Sequence, residues 1–127
     1  MASEPTVAGR WRIVEMELWD DEAINLLGPA FIHFGPDNSG SFRFIAVEGW
    51  MDVRPTAKDE RPGVEFSWEG NDDGDLTSGR GWASLTEDGS LTGRIFIHLG
   101  DDSSFHAVHE AAVKGPTGGV GRSRRRR

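Results

Sequence analysis

The chain has 127 residues, no cysteine and a formal net charge of −7; at about 150 residues per domain that is one domain, and disulfides, thiolate catalysis and cysteine-ligated zinc are excluded. The charge is divided: residues 1–114 hold all 21 acids and nine of the 14 basic residues, a net of −12, while residues 115–127 hold five Arg and no acid. An acidic body excludes phosphate-backbone binding by the folded surface, and no apolar run approaches the about 20 residues of a membrane span.

Residues 1–8 read as a flexible lead-in without the basic and apolar segments of a signal peptide, so a cytoplasmic protein is expected. Residues 9–112 read as a single β-barrel domain. Trp11, Ile13, Glu15, Glu17 and Trp19 alternate with Arg12, Val14, Met16 and Leu18, as on a strand. Asp20-Asp21-Glu22, then Ala23, Ile24 and Leu27, then Gly28-Pro29, predict a helix of about two turns with Asp20 as its N-cap. A strand is expected over 30–34, a turn over 35–40 and one long strand over 41–53, bent near Gly49. Residues 55–62 read as polar loop. Val64, Phe66 and Trp68 alternate with Glu65, Ser67 and Glu69. An acidic loop over 71–75 leads to strands over 80–85, 91–99 and 104–110, with turns at 87–90 and 100–103. Glycine, 17 residues in all, reads as punctuation between these short elements. Residues 113–127 read as a disordered Gly/Arg-rich tail. The expected fold is all-β: an antiparallel up-and-down barrel of about eight strands, calycin-like, with one short helix between the first two.

Two resemblances accompany this reading. Gly9-Arg10-Trp11, opening the first strand, resembles the Gly-x-Trp start of lipocalin-type (calycin) barrels, and the early helix is similar to the intracellular fatty-acid-binding side of that group. The runs Gly9-Arg10-Trp11, Met16-Glu17-Leu18-Trp19-Asp20, Val47-Glu48-Gly49-Trp50-Met51-Asp52, Val64-Glu65-Phe66-Ser67-Trp68-Glu69-Gly70-Asn71-Asp72, Ser78-Gly79-Arg80-Gly81-Trp82-Ala83 and Gly93-Arg94-Ile95-Phe96-Ile97-His98-Leu99-Gly100-Asp101-Asp102 resemble a family of small bacterial proteins labelled hypothetical. That likeness covers most of residues 9–108 and implies no activity.

The chemistry-bearing residues are sparse. A turn at 100–103 would set His98 opposite Phe105 and Arg94 opposite His109, which leaves the histidines at different heights and favours surface or hydrogen-bonded roles over a metal site. The loop 71–75 lacks the Gly and Glu spacing of a calcium loop and reads as a solvated turn. No Gly-x-Ser-x-Gly elbow is present, and Gly79-Arg80-Gly81 lacks the third Gly of a phosphate cradle. Glu15 and Glu17, if inside, would be paired lumen carboxylates. The favoured reading instead turns Val14, Met16 and Leu18 to the core and both carboxylates to water, leaving Trp11, Ile13 and Trp19 for the helix or a partner to cover.

The ligand-binding candidates are Trp11, Glu15, Glu17, Trp50, Trp68, Arg80, Trp82, Arg94 and His98, with no catalytic or metal-ligating residue and no cofactor expected. The first function reading is a non-enzymatic barrel that takes a small apolar or anionic ligand in its mouth or lumen. The alternative is an acidic protein-interaction module, an inhibitor or immunity-type partner of a basic protein. An enzyme ranks third.

Overall fold

Val64, Phe66 and Trp68 put three large apolar side chains on one face of a strand, and a sheet with such a face must bury it. The computed structural model, which describes residues 6–58 and 61–110 with only backbone considered at 57 and 58, buries it by closure. The strands are β1 (Gly9–Met16), β2 (Phe31–Phe34), β3 (Ser39–Phe44), β4 (Val47–Lys58), β5 (Arg61–Asp72), β6 (Asp75–Leu85), β7 (Leu91–Ile97) and β8 (Asp102–His109), with helix α1 (Asp21–Ile24) between β1 and β2. Each strand is antiparallel to the next and β8 returns to β1, giving a closed eight-stranded barrel. This is the fold class expected from the sequence. Residues 1–5 and 111–127, and with them most of the expected lead-in and tail, lie outside the described residues.

The lumen is filled by side chains. Phe42 meets Trp68 edge-on at 5.0 Å between ring centroids, and Phe34 lies 6.2 Å from Phe66. Trp11, Ile13, Ile32, Phe44, Val64, Leu91, Ile95 and Phe105 complete the interior. Two glycines inside β6 serve this packing. A Cβ at Gly79 would come within 2.8 Å of Trp68 Nε1, and one at Gly81 within 2.5 Å of the Phe66 ring. Bare backbone on β6 is what admits two large rings from β5.

Four local expectations are corrected. The strand expected over 41–53 is a hairpin: β3 and β4 turn at Ile45-Ala46, with Ile45 in the left-handed region at φ 57°. A β-branched residue there costs about 1–3 kcal/mol, and the fold holds it by an Ile45 N–H bond to the Ile24 carbonyl of 2.9 Å and by packing on the core. The polar loop expected over 55–62 is largely strand, since β4 and β5 stay paired to Lys58 and Arg61. The helix is one turn rather than two: Asp20 caps it by accepting from Ala23 N at 2.9 Å, as expected, but Asn25 ends it and Leu26 and Leu27 stay exposed. In the last hairpin Arg94 faces Ser104, not His109, because Ile97 N donates to Asp101 and residues 98–100 form the turn.

The first strand carries the correction that matters for the site. Its register on β8 shifts between Ile13 and Glu15. Trp11, Ile13 and Met16 therefore all point inward, and Val14 and Glu15 both point out. Val14, Met16 and Leu18 are not one core face: Val14 and Leu18 are exposed, because one extra residue reverses the alternation. Trp19 is covered by its contact with Phe44 at 5.6 Å.

Since consecutive strands are antiparallel, the connections alternate between two ends. The β2–β3, β4–β5 and β6–β7 turns share one end with both chain termini of the barrel; it is called the terminal end below. The β1–β2, β3–β4, β5–β6 and β7–β8 connections share the other.

Candidate functional site

The lumen brings together only two of the nine sequence-derived candidates, Trp11 and Trp68, and both are core. The Trp11 indole donates to the Val7 carbonyl at 2.9 Å and its ring meets His109 edge-on at 5.1 Å. The Trp68 indole N–H is buried without a partner, next to Gly79. Glu15, Glu17, Trp50, Arg80, Trp82, Arg94 and His98 all lie outside the lumen.

Arg94 and Glu17 form a staple. Arg94 Nη2 donates to Glu17 Oε1 at 3.0 Å, Nη1 donates to Asp102, and the backbone N–H of Ser104 donates to Glu17 at 3.4 Å. The bond to Asp102, helped by the negative charge of Glu17, raises the Arg94 pKa above its ordinary value. These contacts tie the end of β1 to β7 and β8, so this Arg is occupied by the fold. Glu15 and His98 are exposed, and the His98 backbone N–H bonds the Ser78 carbonyl at 2.7 Å.

The remaining candidates gather on the outer face of β4–β7. Register sets Trp50 opposite Glu69 and Glu69 opposite Ser78; the next row is Asp52, Ser67, Arg80 and Phe96; the next is Arg54, Glu65, Trp82 and Arg94. An open depression of about 850 Å³ lies beside Trp50, walled by Asp52, Ser67, Glu69, Asn71 and Leu76. A second, of about 470 Å³, adjoins it across Asp52 and Ser67 and reaches Arg80 and Trp82. Arg80 lies over the Phe96 ring at 5.0 Å.

The first depression borders, through Asn71 and Leu76, the end built from the β1–β2, β3–β4, β5–β6 and β7–β8 connections. Residues 15–30, 44–50, 69–78 and 97–104, which make that end, hold twelve of the 21 acids and no Lys or Arg. Arg43 and Arg94 reach it from β3 and β7. Arg43 is spoken for by the Pro29 carbonyl at 3.3 Å and the face of Phe31, and Arg94 by the staple. Among the described residues Glu69, Asp72, Asp73, Asp75 and Asp101 form no ion pair with a described cation. The β5–β6 turn is a two-residue one at Asp73-Gly74, both at positive φ, and it sets Asp72 directly opposite Asp75. The reading of 71–75 as a solvated turn fits it, and no group of three metal-ligating side chains occurs among the described residues.

The same end carries apolar surface. The large hydrophobic side chains exposed among the described residues are Val14, Leu18, Leu26, Leu27, Trp50, Leu76 and Leu99; all but Val14, at the β1 bulge, lie in the four segments that make this end. Leu76 and Leu99 are each 94% exposed. Sequence reasoning missed this set. The signal was present: sorting acids and leucines by which side of an up-and-down barrel each turn falls on would have found it. No protein-family model, curated protein or solved structure matches the chain, and no helix among the described residues is long and apolar enough to cross a membrane.

Proposed function

We infer that the protein is a non-enzymatic interaction module whose acidic, leucine-edged end and adjoining Trp50 face take a basic, amphipathic segment of a protein partner. One observation carries this reading: the exposed large hydrophobics coincide with the cation-free acidic connections at one end of the barrel. Exposed apolar groups clustered this way mark interaction sites, and a one-sign field beside them steers an oppositely charged partner. A cationic side chain over Trp50 would gain a cation–π contact and the Glu69 carboxylate in one position.

The small-ligand reading moves to the same face, because side chains occupy the lumen. The carboxylates of Asp52 and Glu69 beside Trp50 oppose an anionic ligand there and favour an apolar or cationic one. The two readings separate by salt and size. A labelled 20-residue peptide of Lys, Arg and Leu in helical register, followed by anisotropy, is expected to bind with an affinity that falls steeply between 50 and 500 mM salt, about as the Debye length shortens. Retention of a small molecule in native mass spectra, with no affinity for the peptide at any salt, would contradict the module and favour the small ligand.

A further inference from the structure

The acidic end has a ready occupant in the chain itself. Residues 122–127 contain five Arg and no acid, and the described barrel stops at Glu110. β8 carries the chain away from the acidic end, from Asp102 to His109. Its eight residues rise about 25 Å at about 3.3 Å each. The eleven residues 111–121 bridge at most about 40 Å at about 3.6 Å each. The basic cluster can therefore turn back along the barrel and reach the connections beyond Asp102. The opposite route meets a different surface: at the terminal end Arg10, Arg54 and Arg61 already face Glu110, Asp52 and Glu87. Charge complementarity and reach both select the acidic end. Asp72, Asp73, Asp75 and Asp101 there have no described cation, and Trp50, Leu76 and Leu99 stand exposed among them.

We propose that residues 122–127 fold back onto the acidic end of their own barrel and compete with an external basic partner for it. This rests on the interaction reading above and adds its regulation: the partner must displace the tail, so whatever neutralises or removes those arginines opens the site. At an effective concentration on the order of 1 mM for a linker of this length, a segment that binds in trans at about 100 μM weakens an external peptide about tenfold.

The test compares two full-length proteins, the wild type and a variant carrying Arg122→Ser, Arg124→Ser, Arg125→Ser, Arg126→Ser and Arg127→Ser. The probe is the labelled amphipathic Lys/Arg/Leu peptide at 50 mM salt. The variant is expected to bind it about tenfold more tightly, with the gap closing at 500 mM salt. Equal, measurable affinities would overturn self-masking and leave the interaction reading standing. If neither protein binds the probe, the interaction reading fails, and the NMR signals of the Trp50 indole and the Leu76 and Leu99 amides decide the tail separately. Shifts between the two proteins that persist on dilution support the fold-back. Unchanged signals, or shifts that vanish on dilution and so report exchange between copies, overturn it.

Discussion

The two ends of the barrel differ in how much of their charge the fold itself uses. At the terminal end the described acids Asp37, Glu87, Asp88 and Glu110 each have an internal use. Asp88 accepts from Thr86, from the Ser90 backbone at 3.0 Å and from the Ser90 hydroxyl at 2.8 Å, and His106 Nε2 lies 3.0 Å from that same hydroxyl. Asp37 accepts from the Ser39 hydroxyl at 2.6 Å, and Glu87 and Glu110 pair with arginines. At the other end Asp72 is set against Asp75, and leucines stand in water. One end is finished by its own hydrogen bonds. The other keeps charge and apolar area that the fold does not use, which is the signature expected of a surface completed by a partner.

Substitutions separate the roles of the two ends. The largest effect lies between the ends, in the shared core: Phe42→Ala is expected to lower stability by about 3–5 kcal/mol in urea titration, since Phe42 is buried against Phe44 and Trp68. Trp50→Ala should leave the urea midpoint in place and weaken the amphipathic peptide by about 2 kcal/mol, roughly thirtyfold; an unchanged affinity would remove Trp50 from the site.

At the terminal end, the hydrogen bonds from Thr86 and Ser90 lower the Asp88 pKa from 3.8 to about 2, with a further contribution from the His106 charge. A carboxyl held below its unfolded value stabilises the fold above that value, and the stabilisation is lost as pH falls from about 3.8 through about 2. Asp88→Asn should therefore flatten the acid limb of a urea-midpoint profile between pH 5 and 2. A limb of unchanged slope would deny the turn that role.

The smallest expected effect belongs to the acidic end and has the opposite sign. Asp75→Asn removes a like charge directly across from Asp72 and should stabilise by about 0.2–1 kcal/mol, a gain that shrinks in 1 M salt. It should also weaken the basic peptide. Stability and binding moving in opposite directions would mark charge held for recognition; a loss of both would mark a structural role.

How legible this was differs between fold and site. β5 is readable because its apolar residues alternate without a break, and the Asp73-Gly74 turn because both positions tolerate positive φ. The β3–β4 hairpin was hidden because Ile45-Ala46 carries no turn residue; a tertiary bond to Ile24 supplies what local chemistry lacks. The bulge at Val14 was hidden for a similar reason, since both alternating sets of β1 contain large apolar residues and only pairing with β8 decides between them. The candidate residues inherited that uncertainty of face: Trp68 and Trp50 are both strand tryptophans, and one fills the lumen while the other faces water. The acidic body was plain from composition. Its concentration at one end required the strand order, which turns a list of loops into two opposed surfaces.

We infer recognition at the acidic, leucine-edged end of the barrel. An NMR titration of the uniformly ¹⁵N-labelled protein with the amphipathic basic peptide tests it directly. Shifts are expected at the Trp50 indole and at the Glu69, Leu76, Leu99 and Asp101 amides, with Asp37, Asp88 and Ser90 unmoved. Shifts centred on the terminal end, or none at low salt, would contradict it.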